Sequence, residues 1–247
     1  MSAVPSTETS PTEDALLGGR LRLLQPQRGY RVAVDALLLA AAVDARARER
    51  VLDLGAGVGA VGLCLAARVP GCRIVGIELQ PALTELAERN AALNAMQERV
   101  RTIVHDLARP LPGSLGLFDH VATNPPYLAA AVADPSPDPV KALATVESSV
   151  DLARWLKVAV SALAENGTLV LIHRADRLCE IVERLDRLGW RDVAAKKLPP
   201  ANRVLVRARR ATAARRHDSP PLVLHRAGGG YTDEAEAILR HAAPLAF

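Results

Sequence analysis

Cysteine and aromatic residues are scarce in this chain. The three cysteines among its 247 residues, Cys64, Cys72 and Cys179, stand far apart, with no CxxC pair and no histidine partner nearby. That spacing argues against a disulfide framework and against a zinc site, and makes buried, inert thiols the expectation. Two Trp, three Tyr and two Phe leave few rings on which a flat ligand could stack. Long apolar runs are lacking too. The run from Ala36 to Val43 is closed by Asp35 and Asp44, far short of a membrane span, so no membrane partner is expected. The N-terminus has no basic start followed by a hydrophobic block. Residues 1–13, MSAVPSTETSPTE, read as a disordered tail and not a secretion signal, which implies a cytoplasmic protein. Acidic residues are missing between Val193 and His217, where Lys196, Lys197, Arg203, Arg207, Arg209, Arg210, Arg215 and Arg216 supply the charge. Such a stretch is a candidate nucleic-acid phosphate-binding face, although on charge alone a solvated surface is the slightly better reading.

What is present is the composition of a soluble globular protein, 49% apolar and 23% charged, long enough for one main domain over residues 14–247. From residue 51 onward short β-branched runs alternate with helical patterns. Strands are expected at Val51–Leu54, Arg73–Glu78, Val100–Val104, Phe118–Thr123 and Gly167–His173, and helices at Gly59–Val69, Pro81–Asn94, Val150–Ala164 and Ala175–Leu188. This alternation predicts an α/β, doubly wound, mostly parallel sheet covered on both faces. Arg191–Lys197 and Arg203–Arg210 should pair as an antiparallel edge hairpin across Pro199-Pro200-Ala201-Asn202. Residues 14–50 then form an N-terminal segment, 51–175 a cofactor-binding core, and 176–247 the sheet edge with the basic stretch.

The first chemical signal is Asp53-Leu-Gly-Ala-Gly-Val-Gly-Ala-Val-Gly62, directly after a strand and opening a helix. Glycine lets the backbone turn tightly and lets a ligand approach where a Cβ would stand. Gly57, Gly59 and Gly62 fit the dinucleotide pattern GxGxxG, with Glu78 placed at the end of the next strand to bind ribose hydroxyls. The same residues fit a nucleoside without a pyrophosphate, so a nicotinamide dinucleotide and a different cofactor both stay open here.

The second signal is Asn124-Pro125-Pro126-Tyr127, at the C-terminal end of the fourth expected strand, where open parallel sheets bind ligands. Asn124 precedes a proline and is pushed toward extended backbone, and Pro125 cannot continue the ladder. Stopping the strand frees two acceptors, the Asn124 side-chain oxygen and the Pro125 carbonyl, beside the Tyr127 ring. They suit a planar NH2 group. Two acceptors that hold both N–H bonds orient the nitrogen lone pair and stabilise the charge it gains on reaction, so no strong general base is needed. His105 and His120 near the strand ends read as structural or solvent-facing. The segment from Ala130 to Val150, rich in Pro and Asp, is expected to form a mobile loop over the pocket.

Asp53-Leu-Gly-Ala-Gly57, Glu78, Asp106 and Asn124-Pro-Pro-Tyr127 together resemble the class I S-adenosylmethionine-dependent amino-group methyltransferases. The resemblance implies a Rossmann-like, seven-stranded sheet and S-adenosyl-L-methionine as cofactor. It places Gly55 and Gly57 against the methionine part, Glu78 on the ribose and Asp106 on the adenine amino group, adds Asp53 and Asn124 to the cofactor site, and makes Asn124, Pro125, Pro126 and Tyr127 the catalytic tetrapeptide. Gly29-Tyr-Arg-Val-Ala-Val-Asp-Ala-Leu-Leu-Leu39, Pro221-Leu-Val-Leu-His225 and Gly230-Tyr-Thr-Asp-Glu234 are similar to flanks of the family that methylates N6 of the adenine beside the anticodon of tRNA(Val). By that likeness Asp35 and Arg31 join the cofactor site, an equal alternative for Asp35 being a helix N-cap. RNA, most of all tRNA, becomes the expected partner. A protein glutamine-N5 methyltransferase, whose side-chain amide suits the same tetrapeptide, and a nicotinamide-dependent oxidoreductase or nucleotide-binding module are the alternatives. The sequence is silent on oligomeric state.

Overall fold

The computed structural model describes residues 10–28, 31–129, 146–147 and 150–247. Most of the expected tail and nearly all of the expected 130–150 loop lie outside the described residues, as do Gly29 and Tyr30. The chain opens with an antiparallel hairpin, β1 (Thr12–Leu16) and β2 (Leu21–Gln25), that the sequence reading did not anticipate. Thr12 and Glu13, assigned by their polarity to the tail, are its first residues. Helix α1 (Val34–Ala42) follows, buried from Ala36 onward.

The alternating core then runs β3 (Arg50–Leu54), α2 (Ala60–Arg68), β4 (Arg73–Glu78), α3 (Pro81–Leu93), β5 (Val100–Val104) and β6 (Phe118–Thr123). Two-residue strands β7 (Leu128–Ala129) and β8 (Val146–Glu147) pair in parallel with each other. The rest is α4 (Leu152–Ser161), β9 (Leu163–Arg174), α5 (Leu178–Arg187), β10 (Asp192–Lys197), β11 (Arg203–Arg209), β12 (Arg215–Ser219) and α6 (Asp233–His241). The main sheet has the order β12-β10-β11-β9-β6-β3-β4-β5. Strand order reverses at β3, whose neighbours are β4 on one side and β6 on the other, and that switch point opens a crevice at the C-terminal ends of both strands. Along β3, Val51 packs into one core cluster, with α1 and α2, while Leu52 and Leu54 pack into the other, with α4 and α5. Among the described residues, no helix is long and apolar enough to cross a membrane.

Two expectations about the sheet change. It has eight strands and not seven, because Arg215–Ser219 pairs in parallel with β10. The expected hairpin β10–β11 is present and antiparallel, but it sits one strand in from the edge. An outermost strand needs little apolar side chain, and Arg-Arg-His-Asp-Ser buries only Ser219, so its pattern carried no strand signal. The cysteines also divide: Cys64 and Cys72 are buried, but Cys179 is exposed on α5. Burial pushes the Cys64 thiol up to about 12, so it stays protonated.

The N-terminal hairpin is held to the core by two asparagines one turn apart, Asn90 on α3 and Asn94 at its C-cap. Asn90, fully buried, accepts from the Leu24 N–H at 2.7 Å and donates to the carbonyls of Leu24 and Val58, each at 3.0 Å. Asn94 accepts from the Arg22 N–H at 2.9 Å and donates to the Arg22 carbonyl at 2.7 Å. The two amides pair with β2 as a neighbouring strand would. Replacing Asn90 by Ala leaves buried backbone groups without partners and should cost about 3 kcal/mol, measured by urea unfolding. A cost below about 1 kcal/mol would mean that the hairpin docks by apolar contact alone.

Candidate active site

The crevice at the switch point is a pocket lined by Asp53, Gly55, Gly57, Glu78, Asp106 and Asn124 to Tyr127, together with Val32 and Trp155. Its floor is the turn after β3. The N–H groups of Gly55 and Ala56 both donate to the Ile77 carbonyl, at 2.9 and 3.0 Å, which fastens the turn to β4. Gly55 has φ +75° and Gly57 φ +56°, a backbone that side chains strain. A Cβ on Gly55 would meet the Trp155 ring at 3.0 Å, whereas the space beside Gly57 is open.

Three carboxylates line this pocket, two of them buried. Glu78 accepts from the N–H of Gly57 and from that of Gln80, each at 2.9 Å, and burial raises its pKa. Asp53 is buried, and its Oδ2 has no hydrogen-bond partner. Desolvation, with the nearby Glu78 charge, pushes its pKa up to about 7, offset in part by the Gly62 N–H. Asp106 accepts from the Ala108 N–H at 2.8 Å, so it caps a turn and not a helix while still lining the pocket.

The tetrapeptide begins where β6 ends. Thr123 donates to the Leu54 carbonyl at 2.9 Å and accepts from the Trp155 indole N–H at 2.7 Å. Tyr127 Oη lies 2.7 Å from Asp35 Oδ2 and 2.6 Å from Asn124 Oδ1. Arg203 donates through Nε to the same Asp35 oxygen at 3.0 Å, and its guanidinium stacks over the Tyr127 ring, 4.3 Å from the centroid. His173, fully buried at the end of β9, meets the ring edge-on at 5.2 Å. Desolvation, then the Arg177 charge, lowers its pKa to about 4, so it is neutral near pH 7.

The structure gathers most of the residues singled out by sequence and separates others. Asp35 is no N-cap, since α1 is capped by Ala33; it lies within the first turn against Tyr127. Arg31 pairs with Asp14 and donates to Thr12 Oγ1 at 2.8 Å, which knits it into the N-terminal hairpin outside the pocket lining. The basic stretch does not form one face. Lys196 is buried and donates to the Pro220 carbonyl at 2.7 Å. Arg207 lies over the Phe247 ring at 4.8 Å. Arg209 and Arg215 flank Asp192 at the end of the sheet away from the pocket, with exposed Arg210 just beyond, so only Lys197 and Arg203 stand at the pocket end. His120 pairs with Glu49 at 2.9 Å and is structural, but His105, read as structural or solvent-facing, lines the pocket. Trp155, His173 and the inward role of Arg203 escaped the sequence reading. The one available signal was that Trp155 is one of two tryptophans in an aromatic-poor chain.

Residues 31–187 match the model of the methyltransferase small domain family. The chain belongs to this family. It is 32% identical over 209 residues to the tRNA1(Val) (adenine(37)-N6)-methyltransferase of Aeromonas hydrophila subsp. hydrophila, covering 82% of this chain and 86% of that enzyme. It is also 36% identical over 170 residues to the release factor glutamine methyltransferase of Deinococcus radiodurans, covering 66% of this chain and 59% of that enzyme's length. The crystal structure of a predicted O-methyltransferase from Agrobacterium tumefaciens matches with a TM-score of 0.70 at 27% identity, over 86% of this chain and 99% of that one.

The pocket of this methyltransferase fits S-adenosyl-L-methionine, a nucleoside that carries cationic groups. The unpartnered, buried Asp53 oxygen and the raised pKa of both buried carboxylates are what a cationic ligand relieves, and the open space at Gly57 admits it without a Cβ in the way. The unliganded protein carries the cost. Folded Asp53 holds its proton to about pH 7, whereas an unfolded Asp gives it up near pH 4, so this group lowers stability as pH rises from about 4 to 7. Asp53→Asn should raise the unliganded Tm by at least about 3 °C at pH 8 and progressively less toward pH 4, while weakening cofactor binding by titration calorimetry. A Tm gain independent of pH would contradict this assignment.

Proposed function

We propose that the protein transfers the methyl group of S-adenosyl-L-methionine to the exocyclic N6 of an adenine in RNA, in the anticodon loop of a tRNA, and acts in the cytoplasm. The observation that carries this reading is the placement of Asn124-Pro-Pro-Tyr127 on a stiff strand end beside the pocket of Asp53 and Glu78. When bound, S-adenosyl-L-methionine supplies an activated electrophilic methyl carbon. Asp53 and Glu78 hold the cofactor's cationic and ribose groups, and Asp106 its adenine. The Asn124 side-chain oxygen and the Pro125 carbonyl take the two N–H bonds of the substrate amino group, which turns the nitrogen lone pair toward the methyl. They also stabilise the positive charge that develops on that nitrogen, and a proton leaves afterwards. Tyr127 stacks on the base beside these two acceptors.

Unpaired loops, whose bases can be splayed out of the stack, suit such a pocket. Lys197, exposed at the pocket end of the sheet, is placed to meet a phosphate of that loop. The relationship to the Aeromonas enzyme, over most of both chains, supports adenine in tRNA as the acceptor. A second acceptor, the glutamine amide of a protein, is favoured by the relationship to the Deinococcus enzyme and would use the same two acceptor groups. Labelled methyl transfer to a tRNA(Val) transcript and to a release factor, compared side by side, separates the two. Asn124→Ala should lower methyl transfer by about a hundredfold or more, while the dissociation constant for S-adenosyl-L-methionine stays within a few-fold. Transfer to tRNA at the wild-type rate in that variant would remove Asn124 from the reaction.

A further inference from the structure

Asp35, Tyr127 and Asn124 form a chain of three polar groups around one hydroxyl. Tyr127 Oη stands 2.7 Å from Asp35 Oδ2 and 2.6 Å from the Asn124 amide. A phenol has one proton to donate, and both neighbours can accept it, so only one can receive it. A carboxylate is the stronger acceptor. Once the proton goes to Asp35, an amide oxygen 2.6 Å from Oη faces only lone pairs. The amide is flat and turns over within the same space, so the favourable arrangement puts the Asn124 NH2 toward Oη, donating to it. The Asn124 oxygen then lies on the far side of the amide, away from Tyr127 and available to the substrate.

We infer that Asp35 is a positioning residue for methyl transfer: by taking the Tyr127 proton it sets the direction of the chain Asn124→Tyr127→Asp35 and so turns the Asn124 oxygen toward the substrate amino group. Arg203 keeps Asp35 in place, since its Nε–H shares Oδ2 at 3.0 Å and its guanidinium lies on the Tyr127 ring. The three residues come from separate parts of the chain: Asp35 on α1, Tyr127 after β6 and Arg203 on β11. This inference rests on the proposed amino-group chemistry for its kinetic consequence, but the direction of the hydrogen bonds stands apart from it.

Without Asp35 the Tyr127 proton passes to the Asn124 oxygen 2.6 Å away, and the amide is held the wrong way round. Asp35→Ala should therefore lower kcat by about a hundredfold, with KM for the cofactor little changed. Tyr127→Phe keeps the ring, removes the hydroxyl and leaves the amide free to turn, so its loss should be about tenfold. The decisive variant is the pair. Asp35→Ala/Tyr127→Phe should match Tyr127→Phe, a recovery of about tenfold over Asp35→Ala, because the misdirecting hydroxyl is gone. A merely structural role predicts that the two losses multiply; a double variant at or below Asp35→Ala overturns the inference. Asp35→Leu repeats the comparison if the alanine variant does not fold.

A second readout needs no turnover. The Asn124 side-chain NH2 resonance, assigned by its loss in Asn124→Asp, should show one proton protected from exchange in the wild type and lose that protection in Asp35→Ala. Unchanged exchange overturns the proposed direction. An inactive wild type with the protected proton present would refute the proposed function and leave the chain of hydrogen bonds standing.

Discussion

The Thr123 hydroxyl is the joint on which the site depends. It donates to the Leu54 carbonyl and accepts from the Trp155 indole, so one buried side chain ties the end of β6 to the end of β3 and to α4. Each of those three ends carries one part of the chemistry. After Leu54 comes the glycine turn, after Thr123 the acceptor pair, and on α4 the indole that covers Gly55. Strand β6 must stop where the prolines stop it, and the Thr123 contact keeps that stop in register with the cofactor turn. Acceptors that must meet a substrate nitrogen within a fraction of an ångström need such a support, because loose placement forfeits much of the orientation they provide.

Around that joint the molecule accepts unfavourable electrostatics. Asp53 and Glu78 are desolvated side by side, and one oxygen of Asp53 is unpartnered. Strain of this kind marks a binding site more firmly than pocket shape, since it is relieved only when a cation arrives. On the acceptor side the charges are arranged oppositely. Asp35 and Arg203 neutralise each other while they orient Tyr127, and His173 presses on the same ring as a neutral imidazole. In the proposed reaction the nitrogen would meet neutral acceptors, with the carboxylates reserved for the cofactor.

The strands that build the crevice were legible in the sequence because they are largely buried and stand as short runs between longer helical patterns, as in Val51–Leu54 and Phe118–Thr123. Asp53, Gly55, Gly57, Glu78 and the tetrapeptide were legible for a different reason: each lies at or just beyond the C-terminal end of a strand, so position along the chain implies position at one edge of the sheet. Elements whose stabilisation is not apolar were hidden. Strand β12 holds through its backbone ladder, and the N-terminal hairpin through Asn90 and Asn94, whose partners lie 66 and 72 residues away in the chain. The basic stretch misled because charge counts do not say which way a side chain turns. Lys196 points inward to a carbonyl and Arg203 into the site.

By itself the sequence determined the alternation of strands and helices from β3 to β6, the place of the two motifs at strand ends, and the chemistry that an amide, two prolines and a tyrosine offer there. These are local matters of backbone conformation and side-chain type. Tertiary structure alone decided which distant groups meet. Asp35 and Arg203 are 168 residues apart, yet they share one carboxylate oxygen beside Tyr127. No local pattern encodes that meeting, because it follows from three elements converging on one edge of the sheet. The direction of a hydrogen bond at Asn124 is set by that convergence.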